Sequence, residues 1–415
     1  MYYPRTIENT LLRMSKEFAC LVIYGPRQVG KSTVVSHLFS SFSQVTLDDI
    51  DDLALALDNP KLFLDNYSWP LVIDEIQKAP KLLDEIKRRI DAQKKEWLFQ
   101  GEPYRLMYVL TGSNQFELQQ GISESLAGRA GILDMNSFSM AEKELRQGEP
   151  FIPDLALLQK KEGQLGKTYT RKEIFVQIFE GGMPERVQGI STREDFYKSY
   201  VTTYMEKDVR KLIQASSLNA FRTFLTLVAL RTGQELHYDD LANGCGVDAR
   251  TIKQWISILS TSGLILLLQP YLANANRRII KAPKLYFMDT GLCAYLCGWP
   301  NAEMLENSSM AGAFFETFVV SEIVKNFQAA NLDYRNALFT YRDIDQKEID
   351  LLYVKEQTIT PIEIKKGVRP SKPSKNFSVL SKYGMPIRTG FVIDATDRIR
   401  PINENVYAIP VGLVD

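Results

Sequence analysis

Three short stretches of the chain are almost continuously apolar and stop abruptly: CLVIYG at 20–25, PLVIDE at 70–75 and YVLTGS at 108–113, with GILDM at 131–135 after them. Apolar runs of this length that end in small or acidic residues mark strands buried on both faces. Residues 1–145 therefore predict a parallel sheet flanked by helices. After a polar linker, EIFVQIFEGGMPERV and FYKSYVTTYMEKDVRKL read as helices, broken at Gly181-Gly182. Residues 218–290 read as a small helical unit ending in a β-ribbon. From 310 onward GAFFETFVVSEIVKNF predicts an amphipathic helix, followed by strands at FTYRD, EIDLLYV, PIEIKK and TGFVIDA.

Length and composition narrow the picture. A chain of 415 residues predicts two to four domains. Its 50 Lys and Arg balance its 50 Asp and Glu, so any attraction to nucleic acid must come from local patches. MYYPRTIENT lacks the basic start and apolar core of a secretory signal, and the longest apolar run, GLILLLQPYL, falls short of the ~20 residues that span a bilayer. The four cysteines form no CxxC pair, Cys293 and Cys297 have the spacing of a helix's buried face, and only His37 and His237 are available to a zinc site. A soluble, cytoplasmic protein with no membrane partner is expected.

GPRQVGKST at 25–33 follows the first predicted strand and fits G-x-x-x-x-G-K-[ST]. In that pattern the backbone of Gly25, Pro26, Arg27, Gln28, Val29 and Gly30 folds around phosphates. Lys31 reaches the β and γ oxygens, the Ser32 hydroxyl ligates magnesium, and Thr33 opens a helix whose positive end faces the anion. The expected cofactors are ATP and Mg2+. Asp74, at the end of PLVIDE, is placed to hold magnesium through water and Glu75 to polarise the attacking water. Ser113 or Asn114, ending the third strand, would orient water or contact the γ-phosphate. Arg129 in ESLAGRA would lie away from its own phosphate and enter a neighbour's site. Arg210 is a second candidate for that role, or pairs with Glu206 along its helix.

GPRQVGKST, LDD, LVIDEIQKAP, LTGSNQF, ESLAGRA, EGGMPE and YMEKDVRKL occur in this order, followed by KAPKLYFMDTGL, GAFFETFVVSEI, YRDIDQKEIDLL and PIEIKKG. The ordered set covers nearly the whole chain and resembles the prokaryotic AAA-type (AAA+) ATPases whose C-terminal half is a domain of unknown function. The resemblance implies an α/β fold: a P-loop AAA+ core (1–145), a helical lid (146–215), a winged-helix module (216–305) and a restriction-endonuclease-like C-terminal domain (306–415). It also implies a ring of subunits, expected to be six-fold, and says less about biological role.

HYDDLANGCGVDARTIKQWISILSTSGLILLL reads on its own as two helices joined by a glycine turn, with Asp248 capping the second helix, which carries Thr251, Lys253 and Gln254. The following segment would be a wing carrying Arg277, Arg278, Lys281 and Lys284 toward phosphates. Further on, Asp350 starts one strand, and Glu363 and Lys365 alternate on the next, so a hairpin would bring the three together. Glu316 on the preceding helix would add a third carboxylate, and Asp345, Lys347 and Glu348 lie close enough to shift the assignment. This D…ExK arrangement predicts a magnesium site for phosphodiester hydrolysis, with Lys365 steadying charge. The segment from 361 to 400 is strongly basic, and Lys366, Arg369 and Lys372 are its candidate DNA contacts. The sequence thus predicts a DNA-associated ATPase acting on branched or broken DNA in repair, recombination or defence, with a nuclease-like site. The alternative is an ATP-dependent switch that signals to a protein partner through a non-cutting C-terminal module.

Overall fold

The computed structural model describes residues 1–113, 125–165, 167–204, 218–272 and 282–415. Asn114, Glu206, Arg210, Arg277, Arg278 and Lys281 lie outside the described residues. The chain divides into two compact units. The first is Met1–Phe138 with Thr261–Gly263 and Gln328–Asn331; the second is Ser139–Ser260, Leu264–Phe327 and Leu332–Asp415.

Among the described residues, the first unit is built on a five-stranded sheet: β1 (Cys20–Tyr24), β2 (Ser43–Thr46), β3 (Leu71–Asp74), β4 (Tyr108–Gly112) and β5 (Ala130–Asp134). Their order is β2-β3-β4-β1-β5, and every pairing is parallel. β1 and β4 are buried at every position, as their unbroken apolar runs require. The helix Leu82–Gln100 lays Leu82, Ile86, Ile90 and Trp97 against Leu71, Ile73 and Leu110 in one core. Each such side chain contributes roughly 1.5–3 kcal/mol on burial. The apolar pattern did not reveal β2: it is an edge strand with only Val45 buried, so its sequence SQVT carries no core signal. Parallel strands put their carboxyl ends on one edge of the sheet, where ligands of open α/β sheets bind.

The second unit holds a helix Leu218–Ala229, β6 (Gln234–Glu235), helices Tyr238–Cys245 and Ala249–Thr261, then β7 (Ile265–Leu268) and β8 (Lys284–Phe287). The three strands form an antiparallel sheet in the order β6-β8-β7. Asp248 accepts from the Thr251 N–H at 2.6 Å, and Gly246 takes the left-handed conformation that ends the preceding helix. The remaining sheet joins β9 (Leu338–Arg342), β10 (Glu348–Lys355), β11 (Thr358–Ile364), β12 (Gly390–Asp394), β13 (Arg400–Asn403) and β14 (Val406–Pro410) in the order β13-β14-β12-β11-β10-β9. β13 and β14 went unread in the sequence. The helix Ala311–Ala329 corrects an expectation: it is not amphipathic, because Thr317, Ser321, Glu322, Lys325 and Asn326 are buried along with its apolar residues. Its polar groups find partners inside: Lys325 pairs with Glu322 at 2.9 Å and Asn326 donates to the Glu322 carbonyl.

Two sequence motifs meet in this unit. The helix Arg171–Glu180 ends at Gly181, whose φ is 76°, and a Cβ there would stand 2.5 Å from the Tyr197 hydroxyl. A Cβ on Gly291 would meet the same hydroxyl at 2.2 Å. Asp289 closes the junction, accepting from the Gly182 N–H at 2.9 Å, the Tyr197 hydroxyl at 3.0 Å and the Leu292 N–H at 2.9 Å. The glycines of EGGMPE and FMDTGL are therefore demanded by each other's proximity. Cys293 is buried and Cys297 partly buried, and both are free thiols.

Candidate functional site

The loop between β1 and the helix Lys31–Leu38 is shaped by positive φ at Gly25 (155°), Gln28 (60°) and Gly30 (93°). Gly25 admits no side chain, since a Cβ would fall 1.9 Å from the Met135 carbonyl oxygen. Arg5, which belongs to no sequence motif, holds the loop from behind. Its guanidinium donates to the Val29 and Asn136 carbonyls, each at 2.7 Å, and stacks on the Phe138 ring. Lys31 is buried, its ammonium donating to the Gly25 and Pro26 carbonyls at 3.0 and 2.7 Å. Ser32 and Thr33 are exposed on the first turn of the helix.

β3 delivers Asp74 to this loop. Its Oδ2 accepts from the Ser32 hydroxyl at 2.8 Å, and its Oδ1 accepts from the Thr111 hydroxyl of β4 and from the Glu75 N–H at 3.1 Å. A cavity of about 210 Å³ lies beside them, lined by Ser32, Gln44, Thr46, Asp74 and Thr111. Glu75 takes a left-handed backbone, φ 59° and ψ 40°, which a β-carbon disfavours by about 1 kcal/mol or more. Its Oε2 accepts from the Gln77 amide and from the Ser113 hydroxyl, the latter at 3.4 Å. Gln77 also reaches Ser113, at 3.4 Å. The structure thus brings Lys31, Ser32, Asp74, Glu75 and Ser113 to the carboxyl edge of the sheet. Thr111 and Gln77 join them unforeseen. Thr111 was visible only as a hydroxyl inside an apolar run, and Gln77 only as the polar residue two places beyond the acidic pair. A hydroxyl facing a carboxylate across a glycine-rich loop is a donor set suited to magnesium and phosphate oxygens.

Arg129 lies elsewhere in the unit. Its Nε and Nη2 grip Asp91 of the helix Leu82–Gln100 at 2.6 and 3.0 Å, and Nη1 donates to the Ala127 carbonyl. Asp91 in return is held below the usual carboxylate range by Arg129.

In the second unit the β10–β11 register, which runs from Lys355↔Thr358 to Leu351↔Ile362, sets Asp350 opposite Glu363. Lys365, one residue past β11, reaches Glu363 Oε1 at 2.6 Å and Asp350 Oδ2 at 3.1 Å. The same Asp350 oxygen accepts from the Ile364 N–H at 2.7 Å. Glu363 Oε2 is buried with no hydrogen-bond partner. Burial and then the neighbouring Asp350 push the Glu363 carboxyl up to about 8. Glu316 is buried as well. Its Oε1 accepts from the Tyr286 hydroxyl and pairs with Lys284, both at 2.7 Å, and burial followed by Asp350 lifts it to about 7. Lys284 also pairs with Glu348 at 2.6 Å. The sequence grouped Lys284 with a basic wing; here only 6% of it is exposed, and it points into the carboxylates. Its place in β8 explains this: Lys284 and Tyr286 alternate onto one face of the strand. Among the described residues no group of three or more His, Cys, Asp or Glu is arranged to hold a metal ion. The set as it stands does not fit magnesium, because lysines supply the counter-charge. Of the candidate DNA contacts, Arg369 and Lys372 are exposed, whereas Lys366 is partly buried and donates to the Glu306 carbonyl at 3.4 Å.

Comparison with known proteins divides the chain in three. Residues 17–144 match a family model described as an AAA domain, while 171–303 and 311–414 match two domains of unknown function, DUF8612 and DUF4143. Two uncharacterized mycobacterial proteins, Rv2008c of Mycobacterium tuberculosis and Mb2031c of Mycobacterium bovis, are each 26% identical over 397 residues. Each alignment spans 95% of this chain and 80% of the relative. Among solved structures, a Walker-type ATPase of Pyrococcus abyssi is 15% identical with a TM-score of 0.43, covering 71% of this chain and 96% of its own. The ORC2 protein of Aeropyrum pernix is 12% identical with a TM-score of 0.32, covering 75% and 93%. Among the described residues no helix is long and apolar enough to cross a membrane. The AAA match falls on the parallel sheet that carries the glycine loop, Lys31 and Asp74: residues 17–144 carry an AAA domain, and the chain is an ATPase.

Proposed function

We propose that the chain couples ATP hydrolysis to a grip on DNA. At the first site Ser32 and Asp74 would hold magnesium, which supplies positive charge against the phosphate oxygens. Lys31 exchanges the loop carbonyls for the β and γ oxygens. Glu75, fixed by Gln77 and Ser113, accepts a proton from the attacking water. Arg129 leaves Asp91 to reach the transferred phosphoryl group of an adjacent subunit in a ring, six-fold in this reading.

The observation that carries the DNA half is the helix Ala249–Thr261. It buries Ile252, Trp255, Ile256 and Leu259 and leaves Arg250, Lys253 and Gln254 exposed. It follows a helix and a glycine turn and precedes an antiparallel ribbon, the order of a winged helix, in which such a helix meets a DNA groove. Exposed Arg369 and Lys372 would add phosphate contacts. The C-terminal sheet, with its hairpin carboxylates and lysine, supports an endonuclease-like reading of that domain. No strand cleavage is assigned to it in the present arrangement, and incubating supercoiled plasmid with Mg2+ or Mn2+ checks for nicking.

The test is the ATPase rate of the full chain with no DNA, duplex, single strands and four-way junctions. Stimulation that weakens with salt is the expected result. A flat response, with no salt-sensitive binding, overturns the coupling. It would favour the second reading, a nucleotide switch that signals to a protein, which the lysine-filled carboxylate cluster supports on its own account.

A further inference from the structure

The glycine-rich loop of the first unit is held by residues far from it in sequence. Arg5 is the nearer of them. It is buried, and its Nη1 and Nη2 donate to the Val29 and Asn136 carbonyls at 2.7 Å each. A trans peptide points its carbonyl and its N–H in opposite directions. Holding the Val29 oxygen behind the loop therefore turns the Gly30 N–H to the front, the side on which such a loop gathers phosphate oxygens. Asn136 extends this chain of contacts. It is buried too, and its side-chain amide donates to Gln328 Oε1 at 2.8 Å. Gln328 stands in the last turn of the helix Ala311–Ala329. That end is fixed by further bonds: the Thr10 hydroxyl donates to the Ala329 carbonyl at 2.7 Å, and Asn331 Nδ2 donates to Met14 Sδ at 3.5 Å. The last carbonyls of a helix find no partner within it, and Thr10 supplies one. All these residues belong to the first unit, although the helix up to Phe327 belongs to the second.

We propose that Gln328 is a positioning residue of the ATPase site, acting through Asn136 and Arg5 to set the loop for the phosphates of a nucleotide. An Asn136 fixed by its side chain offers its carbonyl at a fixed point. A guanidinium fork that spans two carbonyls carries that position to Val29. The link is reciprocal: a nucleotide that favours the ordered loop favours the same seating of the helix end. The inference needs only the nucleotide site and holds whether the partner is DNA or a protein.

The test is titration calorimetry of ADP with Mg2+ into the full chain, paired with KM and kcat for ATP. ADP presents its phosphates to the loop and is not turned over. Gln328→Ala should raise the ADP dissociation constant about fivefold, with KM for ATP rising alongside and kcat falling less. Gln328→Glu keeps an oxygen for the Asn136 amide and should bind ADP within about twofold of the parent. Arg5→Lys keeps the charge but cannot span two carbonyls, so it should weaken ADP at least as much as Gln328→Ala. Combining Arg5→Lys with Gln328→Ala should weaken ADP no further than Arg5→Lys alone, because one path carries both effects. Losses that multiply overturn the relay, and so does a Gln328→Ala chain that binds ADP like the parent. An equal loss in Gln328→Ala and Gln328→Glu, with the unfolding midpoint lowered in both, assigns Gln328 to folding and overturns the positioning role. Should Arg5→Lys fail to fold, the contrast between Gln328→Ala and Gln328→Glu decides.

Discussion

The Ser32 hydroxyl donates to Asp74 Oδ2 at 2.8 Å, although 42 residues separate the two in sequence. The parallel pairing of β3 and β4, and of β4 and β1, brings them together at one edge of the sheet. In the proposed function this hydroxyl and carboxylate, which already meet, would share the work of holding a magnesium ion. Ser32→Ala is expected to raise the half-saturating magnesium concentration for ATP hydrolysis about tenfold, with the unfolding midpoint unchanged because Ser32 is exposed. Phosphate release against magnesium at saturating ATP measures it; an unchanged magnesium dependence counts against the assignment.

Gln77 separates positioning from binding. Its amide holds the Glu75 carboxylate and touches Ser113, and no ligand-facing role is assigned to it. Gln77→Ala should lower kcat about tenfold or more while KM for ATP stays within about twofold, since what is lost is the placement of the proton acceptor. A rise in KM with kcat intact would show that Gln77 acts in nucleotide binding instead.

The Arg129–Asp91 pair decides whether the arginine works between chains. It is partly exposed, so its contribution to stability is small, about 0–1 kcal/mol. Asp91→Ala should therefore leave the unfolding midpoint nearly unchanged while freeing Arg129. Arg129→Ala should abolish turnover. Mixing Arg129→Ala subunits with Glu75→Gln subunits should restore part of it, because some interfaces then pair an intact arginine with an intact glutamate. Loss of activity without rescue places the arginine's action within one chain.

Asp415 makes stability depend on pH. Its side chain is fully buried, and burial lifts its pKa to about 7, with Glu322 raising it further against the pull of Arg146 and Lys161; Glu144 and Lys143 also face this cluster. The folded chain holds a proton that the unfolded chain has released. The stability linked to this group is therefore present below the ordinary value of 3.8 and is lost as pH rises through about 7. Asp415→Asn should flatten that fall and leave the variant more stable than the parent at pH 8, as read by denaturant unfolding at a series of pH values. A slope identical to the parent's would mean that Asp415 ionises normally.

Much of the first unit was legible because its chemistry is local in sequence. GPRQVGKST bends where its glycines sit, and PLVIDE ends in its carboxylates. What escaped depends on contacts distant in sequence. Arg5 acts on a loop more than twenty residues away and has no motif of its own. β2 is an edge strand whose single buried valine gives no periodicity. In the second unit the hairpin of Asp350, Glu363 and Lys365 followed from alternation, and the structure brings the three side chains together. The partner of Glu316 did not follow, because Lys284 looks like a solvated wing residue until Tyr286, two places on, is seen to share its face. The all-round burial of the helix Ala311–Ala329 was hidden for the same reason: polar residues read as an outer face until their partners are known.

The junction at Asp289 has a mechanical consequence. Gly182, Tyr197 and Leu292 are all fastened to one carboxylate, and neither Gly181 nor Gly291 has space to spare. One carboxylate therefore ties three segments of the backbone, and its loss would release the Gly182 and Leu292 N–H groups and the Tyr197 hydroxyl all at once.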